Sequence, residues 1–139
     1  MNENFKTELL LEVPFYDLDP MEIVWHGNYI KYFEKTRCQL LEKFDFGYID
    51  MRNSGYMWPI VDLRVKYINS ATFGQKVRCK ATIVEFENRL KINYEIHCAK
   101  TNKRLTKGYT TQVAVDLKTK ELQLVSPKIL LSKLGVTDD

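Results

Sequence analysis

The chain has 139 residues, of which 45% are hydrophobic and 28% charged. That length suits one domain, residues 1–139, with a core that needs no staples, and the composition excludes a disordered chain. Twenty-one basic against 18 acidic residues leave a net charge of +3, too small an excess to argue for a nucleic-acid partner.

Residues 8–16 read as a first strand, with Leu9, Leu11, Val13 and Phe15 alternating with Leu10, Glu12, Pro14 and Tyr16. The polar turn Asp17-Leu18-Asp19-Pro20 follows. The spacing of Ile30, Phe33, Arg37, Leu40, Leu41 and Phe44 by threes and fours predicts one long helix over residues 28–44. Tyr29, Tyr32 and Thr36 broaden its apolar face, so it should be covered on most sides.

Beyond Gly47–Gly55 the period becomes two. Strands are predicted at 61–67, 77–83, 90–98 and 105–117, apolar on one side and polar on the other. Short turns at Glu87-Asn88, Thr101-Asn102 and Lys118-Thr119 imply hairpins. Residues 121–125 add a short piece, and a small terminal helix should start with Ser126 as N-cap and Pro127 in its first position. The predicted class is α+β: a long antiparallel sheet wrapped around one central helix, because both apolar surfaces must be buried together.

No apolar run approaches the ~18 residues that span a bilayer, and Met1–Lys6 lacks a signal-peptide core, so a cytoplasmic protein without a membrane partner is expected. Cys38, Cys79 and Cys98 are isolated, with no CxxC and no Cys/His cluster. Neither a disulfide framework nor a metal or other cofactor is expected.

The stretch from Tyr16 to Arg37 concentrates the chemistry. Asp19-Pro20-Met21-Glu22 fits a helix N-cap with a capping box, and Asp19 equally fits a general base or nucleophile. Asp17 reads first as a turn former or hydrogen-bond holder. His26 reads as a solvated loop residue, or as the bearer of a backbone N–H among the free donors at a helix start, where an oxyanion is stabilised. Gly27 permits a tight turn or close ligand approach, with Asn28 as N-cap. Glu34 and Arg37 are spaced as a helical ion pair, and Glu34 lies two turns from His26, within reach of the same cavity. His97 sits on a polar strand face and has no assigned role.

Asp17-Leu18-Asp19-Pro20, Ile23-Val24-Trp25-His26-Gly27-Asn28-Tyr29, Tyr32-Phe33-Glu34 and Arg37 together resemble the signature of hotdog-fold acyl-CoA thioesterases of the 4-hydroxybenzoyl-CoA thioesterase family. That family includes the acyl-CoA thioesterases encoded near the bacterial Tol–Pal system. Val65 to Gln75 resembles its second-strand segment, and the likeness runs over residues 8–134. It implies a homodimer assembling to a homotetramer, with active sites at the dimer interface. It also implies Asp19 as catalytic carboxylate, and His26 as the N–H that polarises the thioester carbonyl. Asp17, Gly27, Tyr29 and Glu34 are implied to shape the substrate site. The substrate would be an acyl-CoA or an acyl-carrier-protein thioester, with a non-catalytic thioester-binding protein as the rival. One departure stands out. The family usually carries Gly before the apolar Ile-Val pair, where this chain has Met21-Glu22.

Overall fold

A computed structural model describes residues 3–136. The strands are β1 (Lys6–Glu12), β2 (Tyr56–Met57), β3 (Ile60–Tyr67), β4 (Lys76–Glu85), β5 (Leu90–Cys98), β6 (Arg104–Gln112) and β7 (Val115–Asp116). The helices are α1 (Asn28–Glu42), α2 (Tyr48–Arg52) and α3 (Lys128–Leu134). Five strands form one antiparallel sheet in the order β1-β4-β5-β6-β3, and β2 pairs separately with β7.

Helix α1 buries Tyr29, Tyr32, Phe33, Thr36, Leu40 and Leu41, while Ile30, Arg37 and Phe44 are only half-buried. The opposing layer is the inward face of β4 and β5, including Cys79, Ile83, Ile92 and Tyr94. Phe33 stacks on Tyr94 at 4.4 Å between ring centroids. Gly108 of β6 makes this packing possible. A Cβ there would lie 2.1 Å from the Arg64 carbonyl oxygen and 2.9 Å from the Phe33 ring.

Four expectations need correction. The first strand stops at Glu12, and Phe15–Asp17 forms a turn of 3-10 helix with Phe15 exposed, because Pro14 interrupts the ladder. The last strand divides into β6 and β7, since the chain leaves β3 after Gln112 and turns to β2. α3 begins at Lys128 with Pro127 as its N-cap, and the Ser126 N–H instead donates to the Glu87 carbonyl at 2.8 Å. The predicted alternation in β3 fails as burial: of its residues only Val65 is partly covered, and Ile60, Val61, Leu63 and Tyr67 are exposed. β3 is an edge strand, and apart from Val65 its apolar side chains lie outside the core of this chain.

The two sheet edges differ. At β1 the Lys6 and Glu8 carbonyls accept side-chain donors from Lys43 and Gln39, residues at the C-terminal end of α1. No such capping hydrogen bond covers the outer edge of β3 among the described residues, which leaves it open to pairing.

Candidate active site

The segment between β1 and α1 is anchored by Asp17, which is 2% exposed. Its Oδ2 accepts a 2.7 Å hydrogen bond from the Tyr32 hydroxyl and its Oδ1 one of 2.6 Å from Lys31 Nζ. Its backbone carbonyl accepts from the Trp25 N–H at 2.9 Å and from Asn28 Nδ2 at 2.8 Å. A carboxylate so placed costs little to bury, because both oxygens and the charge are matched. Burial, and after it the Asp17 carboxylate, pushes the Tyr32 hydroxyl far above its ordinary range, so Tyr32 stays a proton donor.

Asp19 does not cap a helix. The Leu18–Val24 bridge closes a small hairpin around it. The Asp19 N–H donates to the Ile23 carbonyl and the Glu22 N–H to the Asp19 carbonyl, each at 2.9 Å. Asp19 Oδ1 accepts from the Met21 N–H at 2.8 Å, and among the described residues no donor engages Oδ2. Asp-Pro-x-Glu is compatible with a cap and with this turn, because both need a carboxylate accepting a nearby N–H. Glu22 sits at φ 65°, a left-handed conformation that glycine adopts at no steric cost. The departure from the family's glycine therefore falls on a position whose backbone favours glycine.

The entrance to α1 carries His26. Its imidazole is exposed and lies against Trp25 at 4.9 Å and Tyr67 at 6.3 Å. Its carbonyl accepts the Tyr67 hydroxyl at 2.9 Å. The turn's backbone hydrogen bonds use the N–H groups of Val24, Trp25 and Asn28 and, among the described residues, leave those of His26 and Gly27 without a backbone acceptor. These donors sit at the positive end of a 15-residue helix, where negative charge is favoured. Gly27 is the N-cap. A Cβ there would meet the Trp25 ring at 2.2 Å, so Gly27 lets that ring fold over the helix start.

Asp19, His26 and Tyr29 line one cleft of about 300 Å³. The opposite wall is Tyr67 to Ser70, which sequence reasoning did not single out residue by residue. The Val65–Gln75 likeness carried that signal. Tyr29 is buried, its ring lies 5.5 Å from Tyr67, and its hydroxyl accepts the Ala71 N–H at 3.1 Å. Burial raises the Tyr29 pKa against the opposing pull of that Ala71 bond, with Tyr67 and Asp19 adding smaller upward contributions. Val24 N–H to the Ala71 carbonyl, at 2.9 Å, joins the two walls.

The other expected site residues fall elsewhere. Asp17 is buried behind the cleft as its anchor, and Gly27 does not line it. Glu34 pairs with Arg37 and lines a second pocket of about 410 Å³. Of the basic residues weighed for phosphate contact, Lys31 is taken by Asp17 and Arg89 pairs with Glu85 at 3.0 Å. Arg64 and Lys66 lie on the outer sheet face beside Lys107, and Lys35 is exposed on α1. His97 is 8% exposed, and its Nδ1 has no hydrogen-bond partner among the described residues.

Comparison with known proteins agrees with this architecture. The family profile of the thioesterase-like superfamily matches residues 13–132. The candidate acyl-CoA thioesterase YneP of Bacillus subtilis is 29% identical over 107 residues, 76% of this chain and 77% of that protein. The candidate esterase sll0410 of Synechocystis is 28% identical over 110 residues, 78% of this chain but 66% of that longer protein. The solved DHNA-CoA thioesterase from Staphylococcus aureus is 29% identical, overlays with a TM-score of 0.76, and is matched over 84% of this chain and 78% of its own. The chain belongs to the thioesterase-like superfamily, as an α+β enzyme of hotdog fold and of the thioester hydrolase class.

Proposed function

We propose that this enzyme hydrolyses an acyl-CoA thioester to the free acid and CoA, with Asp19 as the working carboxylate. One observation carries the reading: among the described residues, a single cleft holds a carboxylate oxygen without a protein donor, on Asp19, beside the His26 N–H, which has no backbone acceptor at the start of α1. The thioester carbonyl sits over that helix end. Its oxygen takes up negative charge as the tetrahedral centre forms, and one such N–H contributes about 3 kcal/mol to stabilising it. Asp19 either attacks the carbonyl carbon, giving a mixed anhydride that water then opens, or takes the proton of an attacking water. In both routes the C–S bond breaks and its electron pair leaves on sulfur. A thiol pKa of about 8.5 lets the thiolate depart with little acid assistance.

The enzyme acts as a homodimer, and pairs of dimers form a tetramer. The open edge of β3 and its exposed Val61 and Leu63 support this, because pairing with a second copy covers both. A two-fold axis at the middle of β3 sets the Trp58–Ile60 end beside the partner's Tyr67–Ser70 segment, so each cleft is walled by both copies. We also propose the cytoplasm as its compartment, consistent with the free thiols of Cys38, Cys79 and Cys98.

The test is thiol release from aryl and short-, medium- and long-chain acyl-CoAs, beside acyl-carrier-protein esters of matched chains. Turnover of CoA esters is expected. Turnover of carrier-protein esters alone moves the substrate class, and tight binding without turnover contradicts the assignment.

A further inference from the structure

The open edge of β3 carries a short order of charges, Asp62-Leu63-Arg64-Val65-Lys66. The Ile68 N–H donates to the Leu105 carbonyl at 2.9 Å, and the register between β3 and β6 runs without a shift from Asp62 to Tyr67. Backbone groups alternate sides along an antiparallel ladder. Those of Asp62, Arg64 and Lys66 therefore turn to β6, and those of Leu63, Val65 and Tyr67 turn to the open edge. Side chains alternate as well. Val65 packs against the core, so Asp62, Arg64 and Lys66 stand on the outer sheet face. Asp62 is held there by the Tyr109 hydroxyl, which donates to Oδ2 at 3.1 Å. Among the described residues Arg64 forms no ion pair.

A second copy that pairs antiparallel about a two-fold axis sets its open backbone groups against those of the first. The axis then passes through a residue, and each choice of residue opposes different charges. On Asp62 it sets two carboxylates together. On Arg64 it opposes two guanidinium groups, and on Lys66 two ammonium groups. On Val65 it sets Arg64 against the partner's Lys66, twice. Like charges directly opposite one another destabilise a sheet, and opposite charges support it. With the axis on Leu63, Asp62 faces the partner's Arg64, again twice, and no like charges are opposed. Axes nearer either end of β3 leave these charges unpaired and shorten the overlap.

Resting on the proposed homodimer, we infer that Asp62 and Arg64 select the partner: each pairs with the other residue of a second copy, which fixes the axis at Leu63 and rejects shifted pairings. Moving the axis by one residue slides the partner by two, about 7 Å. Its Trp58–Ile60 end then leaves the cleft wall, so the charge order of β3 also decides whether the cleft is completed. An edge strand lacking the complementary order meets repulsion in place of a pair.

Sedimentation of the full chain reads this without substrate. Asp62→Arg opposes cations at both pairs, and Arg64→Asp opposes carboxylates at both. Each variant by itself is expected to raise the dimer Kd at least tenfold. Mixed in equal amounts, the two are expected to form a heterodimer with a Kd within a few-fold of wild type, because both pairs are complementary again with the signs exchanged. Recovery on mixing also shows that both variants fold. Either variant dimerising as wild type does, or a mixture no tighter than its components, overturns the inference. Leu63→Cys in a Cys38→Ser background reads the axis. A directly opposed pair with Cα atoms about 5.5 Å apart suits a disulfide, so oxidation is expected to cross-link Leu63→Cys and not Val65→Cys. Cross-linking through Val65→Cys and not Leu63→Cys overturns the inference. A wild-type chain that stays monomeric sinks the proposed dimer and the inference together. A wild-type dimer indifferent to both charge changes sinks the inference and leaves the dimer standing.

Discussion

The Tyr32 hydroxyl donates a 2.7 Å hydrogen bond to Asp17, a carboxylate that is 2% exposed and also held by Lys31. This pair ties the segment that carries Asp19 and His26 to the first turns of the central helix. Its loss therefore reaches both stability and geometry. Tyr32→Phe is expected to lower stability by about 1–3 kcal/mol, since one Asp17 oxygen loses its donor in a buried place. Chemical denaturation measures that loss. A fall in kcat with a smaller change in KM is expected alongside it, because the tilt of the Asp19 turn sets the reacting geometry. Unchanged stability and rate contradict the anchoring role.

Glu22 holds a left-handed backbone at φ 65°. A non-glycine residue pays about 1–2 kcal/mol there, part of which glycine's greater freedom in the unfolded chain offsets. Glu22→Gly is expected to raise stability by about 1 kcal/mol, and Glu22→Val to lower it, as read from urea midpoints. Equal midpoints for the three proteins show that the turn relaxes out of this conformation.

Close to a two-fold axis a side chain faces its own copy. Leu63, 40% exposed at the middle of β3, is placed there by the proposed dimer. Leu63→Lys sets two ammonium groups together and is expected to shift the sedimentation profile from dimer toward monomer, with loss of thioester hydrolysis. A dimer that persists at micromolar concentration moves the interface away from β3.

His97 gives a pH dependence whose sign follows from its surroundings. Burial lowers its pKa below the ordinary 6.5, and Lys80, Arg104 and Arg78 add to that while Glu95 opposes it. Above pH ~6.5 the imidazole is neutral folded or unfolded and contributes nothing. As pH falls below that value the unfolded chain takes the proton first, and stability is lost down to the depressed folded pKa. His97→Asn is expected to lose less melting temperature than wild type between pH 7.5 and 5.5. Parallel losses contradict this.

The helix and the strands were legible because their periodicity reflects burial within one chain. Two features resisted. β3 alternates in sequence as a half-buried strand does, yet Val61 and Leu63 stand exposed, because nothing among the described residues of this chain packs over that part of the edge strand. Asp19-Pro20-Met21-Glu22 carries the spacing of a helix cap, and only the Leu18–Val24 bridge makes it a hairpin. Within the site, Asp19, His26 and Tyr29 were readable because they lie on one short stretch of chain. The facing wall at Tyr67–Ser70 depends on tertiary placement. Glu34 lies two turns from His26, but it belongs to the second pocket.

The central claim rests on Asp19, and Asp19→Asn tests it most directly. The amide keeps an oxygen that can accept the Met21 N–H, so the turn and the melting temperature should hold. It removes the charge and the base. With the acyl-CoA that wild type turns over fastest, kcat is expected to fall by roughly 10²–10⁴-fold with KM little changed. Activity within a few-fold of wild type, in a variant of unaltered stability, would contradict the account and return Asp19 to a turn-forming role.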